Sequence, residues 1–514
     1  MAELWRRAAR LLALAMVPLL PVGLADASAQ APKRGGTIVE ALEADFPSLD
    51  VLRISALAER EVALSVYDPL FDVNAKGEVV PYLAEGFSVS SDGKVYTLKL
   101  RPGVKFHDGT PMDADAVVFN LDRDRDPSNA CRCLGQIGLI DSARAIDPLT
   151  VEIVLKQPSA TLPALLTDTP GMMASPTAIR KDPKGFGNQP IGTGPFVFKE
   201  WAKGDHITLA RNPNYWNKPL PHADQVIYRP IPNEESRQAT LVTGGINVSQ
   251  NPGPKSIVEA GKNASLRVIK TEGLGTSFIM MNTKTGPTSD ARVRRAIAYA
   301  TDRRLIDKAI YYNLYEVVES PFARGSSAFQ ENVRGFPSFD LAKAKDLVKD
   351  YGKPIAVTLS LQNTPDTVRL GEILQAMWAK AGIKATIQQF EQHKLIENAL
   401  TKAFEAQAFR WAGRPDPDLN VYKFFYSRYA NERSSNYTQY SNPEMDKLLD
   451  QGNETLDPAR RKEIYAKVSE LLARDVPYNF LFAASFFIIT SSRVQGVESV
   501  PDGLVRMRTV WLDQ

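Results

Sequence analysis

Strand-like and helix-like segments alternate along nearly the whole chain, and this alternation restricts the possible fold more than any other feature. Residues 95–100 (V-Y-T-L-K-L) alternate apolar and polar side chains, which is typical of a half-buried strand. After residue 270 helical patterns become more frequent, and residues 367–381 place Leu374 and Met377 on one apolar face. The sequence therefore predicts an α/β protein with a separate α/β lobe beginning near residue 270.

Several helix starts carry capping residues. Asp113 precedes an apolar-periodic segment, Ser289 or Asp290 precedes another, and Asp457-Pro458 combines a capping carboxylate with a proline in the first turn. These positions predict helices that begin at residues 114, 290 or 291, and 458.

The first 29 residues have the layout of an export signal. Arg6, Arg7 and Arg10 form a basic start, residues 11–24 are apolar but interrupted by proline and glycine, and Ala27-Ser28-Ala29 fits a cleavage site. A retained signal anchor is the alternative, although the apolar stretch is short for a membrane span. Since no cysteine lies near the cleavage site, we expect a soluble periplasmic protein without a lipid anchor.

Without residues 1–29 the chain would carry 59 basic and 57 acidic residues. This near balance gives no reason to expect binding to nucleic acid or to an anionic membrane. About 485 residues would remain, more than a single core normally serves, so we expect two or three domains.

The two cysteines are Cys131 and Cys133, in C-R-C. A disulfide across one residue is rare, and two thiols do not complete a zinc site. The spacing favours a partly buried thiol pair, with a disulfide as the alternative. Stability is expected to come from the size of the core.

Signatures of catalysis are absent from the sequence. The four histidines (His107, His206, His222, His393) are scattered singly, and G-x-S-x-G, G-x-x-x-x-G-K and G-x-G-x-x-G motifs do not occur. The glycine cluster at 273–276 (G-L-G-T) is predicted to be a loop. We therefore expect no enzyme, metal or cofactor; a secreted hydrolase is a remote alternative.

Residues 411–418 read W-A-G-R-P-D-P-D. Two prolines exclude a helix or central strand here and make the loop rigid. Rigid loops on a scaffold often carry binding groups, although a solvated turn is the alternative.

Four stretches, in order, resemble the solute-binding proteins of ABC importers, family 5, which bind dipeptides, oligopeptides or nickel chelates. The stretches are F-H-D-G-T-P-M-D-A-D-A-V-V-F-N-L-D-R (106–123), G-T-G-P-F-V-F-K-E-W (192–201) with R-N-P-N-Y-W (211–216), M-N-T-K-T-G-P-T-S-D-A-R-V-R-R-A-I-A-Y-A-T-D-R (281–303), and Y-S-N-P-E-M-D-K-L-L-D (440–450).

This resemblance implies a periplasmic binding protein fold with two lobes, a satellite domain and a hinged ligand cleft. Lobe I would comprise residues 30–75, 190–270 and 481–514, with residues 76–189 as the satellite domain and 271–480 as lobe II. The chain would cross between the lobes near residues 270 and 480, where ligand binding closes the cleft.

The resemblance also implies ligand-binding residues. Dipeptide binders place an aspartate after the loop tryptophan to pair with the ligand's α-amino group, whereas this chain aligns Arg414 there. Trp411, Arg414, Asp416 and Asp418 are predicted to contact the ligand. Either Arg414 binds a ligand carboxylate or phosphate, or it turns away to a scaffold acid while Asp416 takes the amino group; the second is favoured for ordinary peptides. Asn282 is a further candidate, or else it stabilises the turn that follows.

The implied function is delivery of a peptide or peptide-like solute to an ABC permease by a monomer. A carrier of metal chelates or of other anionic solutes within the same family is the alternative.

Overall fold

A computed structural model describes residues 31–431 and 433–513, and the chain from Lys33 onward forms one compact unit. The predicted signal segment, residues 1–29, lies outside the described residues. Among the residues described, no helix combines the length and apolarity needed to cross a membrane.

Helices and strands alternate as predicted. The strands are β1 (Thr37–Leu42), β2 (Phe71–Val73), β3 (Val79–Pro81), β4 (Ala84–Val89), β5 (Val95–Leu100), β6 (Ile140–Asp147), β7 (Thr150–Leu155), β8 (Phe196–Ala202), β9 (His206–Arg211), β10 (Gln225–Pro230), β11 (Val248–Gln250), β12 (Leu266–Met281), β13 (Ile355–Gln362), β14 (Ile383–Phe390), β15 (Ala406–Arg410), β16 (Tyr478–Ser491), β17 (Val494–Gln495) and β18 (Trp511–Leu512). The α-helices are α1 (Leu57–Val66), α2 (Ala114–Arg125), α3 (Leu134–Ile137), α4 (Leu162–Leu165), α5 (Pro176–Lys181), α6 (Glu234–Val242), α7 (Pro254–Ala260), α8 (Ala291–Tyr299), α9 (Arg303–Ile310), α10 (Leu341–Tyr351), α11 (Pro365–Lys380), α12 (Gln392–Leu400), α13 (Asp418–Phe425), α14 (Pro443–Glu454) and α15 (Pro458–Asp475).

The predicted caps form. Asp113 accepts a hydrogen bond from the Ala116 amide at the start of α2. Asp290, rather than Ser289, caps α8, and Asp457 caps α15 ahead of its first-turn proline. Each carboxylate satisfies an amide that the helix leaves without an internal partner.

One ten-stranded sheet runs in the order β14-β13-β15-β12-β16-β11-β1-β10-β9-β8. Its two ends come from different parts of the chain: β1 and β8–β11 lie before residue 251, and β13–β15 lie between residues 355 and 410. A separate four-stranded sheet, β4-β5-β7-β6, lies within the segment predicted to be a satellite domain.

The antiparallel pair β12 and β16, here called the crossing ribbon, joins the two ends of the large sheet. Near one end of the ribbon, β16 residues 488–490 pair with β11. Near the other end, β12 residues 277–281 pair with β15. The ribbon thus joins the two halves of the sheet, while the lobe boundaries and the crossings near residues 270 and 480 stay a prediction.

The prediction of a loop at 273–276 is wrong, because these residues lie inside β12. The register between β12 and β16 shifts between Glu272 and Thr276, so the strand is irregular there without ending. A Cβ on Gly273 would lie 1.8 Å from the carbonyl oxygen of Ala484, which explains a glycine at this irregularity.

Four main apolar cores support this architecture. One packs below β1 and α1, and a second fills the segment with the four-stranded sheet. Two more lie after residue 270, one between β13, β14 and α11, and one around α13, α14 and α15. Several cores are what the chain length predicted.

Candidate ligand-binding cleft

The loop predicted at 411–418 begins where β15 ends and leads directly into α13. The exclusion of a helix is wrong at its last position, because Asp418 is the first residue of α13. Its first amide, from Trp411, donates to the carbonyl of Thr276 in the crossing ribbon at 2.8 Å. Gly413 has φ +86°, a conformation that favours glycine, and a Cβ there would lie 2.2 Å from the Gly275 amide nitrogen. The loop backbone therefore lies directly against the irregular part of the ribbon.

Trp411 forms part of the wall of an aromatic cavity. Its ring packs edge-on against Phe424 with centroids 4.9 Å apart, and its indole N–H donates to Asn420 Oδ1 at 2.9 Å. The cavity encloses about 350 Å³ including its open mouth. Its lining residues are Thr276, Phe278, Pro321, Phe409, Trp411, Asn420, Phe424, Phe425, Tyr437, Tyr478 and Phe480.

Asn420, in the first turns of α13, holds the front of the loop in place. Besides accepting from Trp411, its Oδ1 accepts from the Arg414 amide at 2.8 Å, and its Nδ2 donates to the Arg414 carbonyl at 2.9 Å. One side chain thus fixes the tryptophan ring and the arginine backbone together.

The guanidinium of Arg414 lies beside the buried carboxylate of Asp168, with Nε 3.5 Å from Oδ2. The Arg414 side chain is 20% exposed, and its Nη1 donates to the adjacent Gly413 carbonyl at 3.0 Å. Within the described residues, no side-chain hydrogen bond engages its Nη2. The Nη2 donors of this arginine are therefore not engaged by the described part of the scaffold.

Asp168 also accepts a hydrogen bond from Arg60 Nε at 2.8 Å. Burial by itself would raise the pKa of Asp168, but the charges of Arg60 and Arg414 outweigh burial and hold the pKa below its usual value. Asp168 is therefore ionised at neutral pH, and the Arg60–Asp168–Arg414 cluster carries a net charge of one positive unit.

Asp416 is held by a different arginine. Arg461 in α15 reaches both of its carboxylate oxygens, at 2.6 and 2.7 Å, and Asp416 is only 8% exposed. Its Oδ1 also accepts from the Asp418 amide at 2.9 Å. These contacts make a bidentate, largely buried ion pair.

Asp418 is more deeply enclosed. Asn453 donates to its Oδ2 at 2.8 Å and Tyr465 to its Oδ1 at 3.0 Å. Burial, reinforced by the charge of Asp416, raises the pKa of Asp418 to about 7. This carboxyl is part of the packing between α13, α14 and α15.

Asn282 is fully buried at the end of β12. Its Oδ1 accepts the amides of Lys284 and Thr285 at 2.9 and 3.1 Å, and its Nδ2 donates to the Lys402 carbonyl at 3.2 Å. The contacts match the alternative role of stabilising the turn into Thr283 and Lys284.

The structure brings Trp411 and Arg414 together, with the Arg414 guanidinium carbon 5.5 Å from the Trp411 ring centroid, although only Trp411 lines the cavity. Asp416, Asp418 and Asn282 are engaged by scaffold partners. Ligand contact by any of the five stays a prediction, and the contacts favour the first two. Sequence reasoning did not identify Asn420, Asp168 or the aromatic lining. The aromatic residues that follow the loop in the sequence were the available signal for the lining.

In the described part of the chain, no cluster of three or more potential metal ligands includes a histidine. The one cluster found there consists of Asp124, Cys131 and Cys133, and the two cysteines form a disulfide. The prediction of a free thiol pair is therefore wrong, and the alternative, a disulfide between Cys131 and Cys133, is the one that the structure contains.

A two-lobed α/β fold with an aromatic cavity against a rigid loop is the architecture of extracytoplasmic solute-binding proteins. The chain belongs to the bacterial extracellular solute-binding proteins, family 5, whose model matches residues 78–432. Members of this family are binding proteins of ABC importers, as the sequence resemblance implied.

Similar proteins extend over nearly the whole chain. The glutathione-binding protein GsiB of Salmonella paratyphi A is 28% identical over 494 residues, covering 94% of this chain and 96% of that protein. Helicobacter pylori DppA, an ABC transporter-associated periplasmic binding protein solved with the peptide STSA, is 27% identical with a TM-score of 0.81, covering 94% of this chain and 99% of DppA. HbpA2 of Haemophilus parasuis is 26% identical with a TM-score of 0.82, covering 93% of this chain and all of HbpA2.

Proposed function

We propose that this protein binds a small anionic peptide of the glutathione type and delivers it, as a monomer, to an ABC permease in the membrane. Arg414 pairs with a ligand carboxylate, and the aromatic cavity beside Trp411 receives an apolar or sulfur-containing side chain. Sulfur packs favourably against aromatic rings. The similarity to GsiB, named as a glutathione-binding protein, supports this ligand class.

The observation that carries the proposal is the different engagement of Arg414 and Asp416. An amino-anchoring role for Asp416 would require its carboxylate to leave Arg461, to which it makes two short hydrogen bonds. Leaving a largely buried arginine without its partner is costly. Arg414, in contrast, has unengaged donors beside the Trp411 ring, and a guanidinium can bind a carboxylate through two parallel hydrogen bonds.

The net charge around Arg414 is consistent with an anionic ligand. Arg60 and Arg414 share the single carboxylate of Asp168, so one positive charge remains uncompensated within the cluster. Charges in a poorly hydrated cleft are weakly screened. The cluster therefore favours a ligand carboxylate over an ammonium group.

The test is calorimetry with three ligands: reduced glutathione, its diethyl ester, and the neutral dipeptide Ala-Ala. We expect glutathione to bind and the ester to bind at least about tenfold more weakly, because esterification removes the charges that Arg414 recognises. Tighter binding of Ala-Ala than of glutathione would contradict the anionic class.

The matched control is Arg460→Ala, an exposed arginine of α15 paired with Glu463. This variant should bind glutathione with wild-type affinity. If Arg460→Ala and Arg414→Ala weaken binding equally, the effect arises from net charge rather than from contact.

A further inference from the structure

The core between the large sheet and α1 contains a group of buried polar side chains. Glu40 in β1 and Glu61 in α1 are both fully buried, and Gln250 in β11 is 2% exposed. The residues packed around them, such as Val62 and Val248, are apolar. Two acids in such surroundings require partners that compensate for the loss of water.

The register of the sheet places four polar side chains on the face that α1 covers. Glu40 is the register partner of Tyr228 in β10 and of Val248 in β11. Val248 in turn pairs with Thr490 in β16. Register partners share a face, and Gln250 joins them because it lies two positions after Val248. Four neighbouring strands thus each contribute one polar group.

Helix α1 closes this group from the other side. Ser65 Oγ lies 2.7 Å from the Tyr228 hydroxyl oxygen, and Glu61, one turn earlier, accepts a hydrogen bond from Gln250 Nε2 at 2.8 Å. Burial, and after it the charge of Glu61, raises the pKa of Glu40 above its usual value. The two carboxyl groups are therefore close enough to repel each other when both are ionised.

Several oxygens of this group have no hydrogen-bond partner in the part of the chain that the structure describes. They are both carboxylate oxygens of Glu40, Gln250 Oε1 and Thr490 Oγ1. A buried polar atom without a partner is rare, because it has lost its hydration without a replacement. All of these atoms are oxygens, the ligand type that calcium prefers.

The charge of the two acids is also not compensated by the neighbouring arginine. Burial raises the pKa of Glu61, and the charge of Arg506 lowers it only in part. That arginine already pairs with Asp72 and Asp502, at 2.9 and 2.7 Å. Two ionised glutamates would therefore bring two negative charges into an apolar core, which is costly without a cation beside them. A divalent cation balances both charges.

We propose that Glu40 and Glu61 hold a calcium ion between the sheet and α1, with Gln250 Oε1 and Thr490 Oγ1 as neutral ligands. Calcium accepts about six to eight oxygens in flexible geometry, whereas magnesium requires a near-ideal octahedron and gives up its water reluctantly. A largely dry set of two carboxylates, an amide and a hydroxyl therefore fits calcium better.

The ligands come from β1, α1, β11 and β16, which meet only in the folded chain. The ion is therefore incorporated as the protein folds, and its role is to stabilise the folded state. None of these residues belongs to the loop at 411–418 or to the aromatic cavity. Failure of the calcium site would leave the proposed function unchanged, and failure of glutathione binding would leave the calcium site unchanged.

The first measurement uses the wild-type protein. It is unfolded in urea with EDTA, freed of metal, and refolded either with calcium chloride or with EDTA. After gel filtration in metal-free buffer, we expect about one calcium ion per chain in the calcium sample by elemental analysis. The urea midpoint should be higher in calcium than in EDTA, because the ion binds only the folded chain. Loss of calcium on gel filtration, or equal midpoints, would overturn the proposal and indicate water at this place.

The second measurement compares two glutamates of the same sheet. Glu40→Gln keeps the shape of the side chain but removes a ligand charge, and retained calcium should fall at least about tenfold. Glu200→Gln, a change in an exposed carboxylate of β8, should retain calcium like the wild type. Wild-type calcium content in Glu40→Gln would overturn the proposal. If Glu40→Gln does not fold, Thr490→Val removes a neutral ligand at nearly constant shape, and undiminished calcium retention by this variant would count against the site in the same way.

Discussion

The front and the back of the loop at 411–418 differ in how completely their side chains are used. At the back, Asp416 and Asp418 have their carboxylate oxygens occupied by Arg461, Tyr465 and Asn453. At the front, the guanidinium of Arg414 makes a long ion pair and one bond to its own neighbour. Both ends lie within eight residues and share two prolines, so local rigidity does not distinguish them.

The difference leads us to propose that the back of the loop anchors it to the scaffold and that the front contacts the ligand. A ligand gains most from groups whose hydrogen bonds the fold has left unmade, since no existing bond has to break. If this division is correct, substitutions at the back change stability, and substitutions at the front change affinity.

The largest effect is expected for Asp416→Ala. Removing the carboxylate leaves the charge of Arg461 largely buried without a partner, which costs about 3–5 kcal/mol of unfolding free energy. Urea denaturation measures this loss. The exposed pair of Arg460 and Glu463 in the same helix provides the control, and Glu463→Ala should cost under about 1 kcal/mol. A loss of less than about 1 kcal/mol of unfolding free energy for Asp416→Ala, the range of an exposed pair, would contradict the distinction between the back and the front of the loop.

Arg414→Ala should show the opposite pattern. We expect a loss of about 2–3 kcal/mol in glutathione binding, because a charged pair in the cleft is removed, with little change in the urea midpoint. Calorimetry and denaturation on the same preparation give both values. A destabilised variant with unchanged affinity would assign Arg414 to the scaffold.

The third prediction concerns pH and Asp418. Its pKa is about 7 in the folded protein, against a reference value of 3.8. Between about pH 4 and 7 the unfolded chain releases this proton while the folded chain keeps it, so the contribution of Asp418 to stability falls as pH rises.

Asp418→Asn removes this titration and should flatten the dependence by on the order of 2 kcal/mol between pH 4 and 7. The measured quantity is the difference in unfolding free energy between variant and wild type at each pH. Asp68 and Glu61, with pKa values of about 7 and about 8, give slopes of the same sign but cancel in this difference. A difference that does not vary with pH would contradict the prediction.

The smallest effect is expected for Trp411→Phe. The variant keeps an aromatic ring against Phe424 but loses the N–H that donates to Asn420. We expect a loss of up to about 1 kcal/mol in glutathione affinity, measured by calorimetry, because the smaller ring buries less apolar surface against the ligand; unchanged affinity would contradict contact with Trp411. The control is Trp201→Phe, because Trp201 packs on Phe46 in another core. Trp378→Phe is unsuitable as a control because the Trp378 ring is fully buried.

The sequence predicted features that depend on neighbours along the chain. The caps at Asp113, Asp290 and Asp457 and the α/β alternation follow from local spacing, and the family resemblance supplied the two-lobed arrangement. The partner of Arg414 was not predictable, because Asp168 lies 246 positions earlier and reaches it only through the tertiary fold. The strand at 273–276 was not predicted from the sequence. Its glycines are needed because β16 and the loop pack closely against them, and both of these segments come from elsewhere in the chain.

The crossing ribbon has a mechanical consequence. A two-stranded antiparallel ribbon resists stretching through its backbone hydrogen bonds but yields readily to torsion, and its weakest cross-section is the register shift between Glu272 and Thr276. At that place Gly275 and Gly413 hold the cleft loop directly against the torsion axis. We therefore expect the cleft to close by a rotation of one half of the molecule about the ribbon. Trp411 and Arg414 lie close to this rotation axis, so they should move much less than the rest of the cleft. Distances between spin labels at the exposed positions Val242 and Leu305 should change on ligand binding far more than distances from either label to a label on the loop.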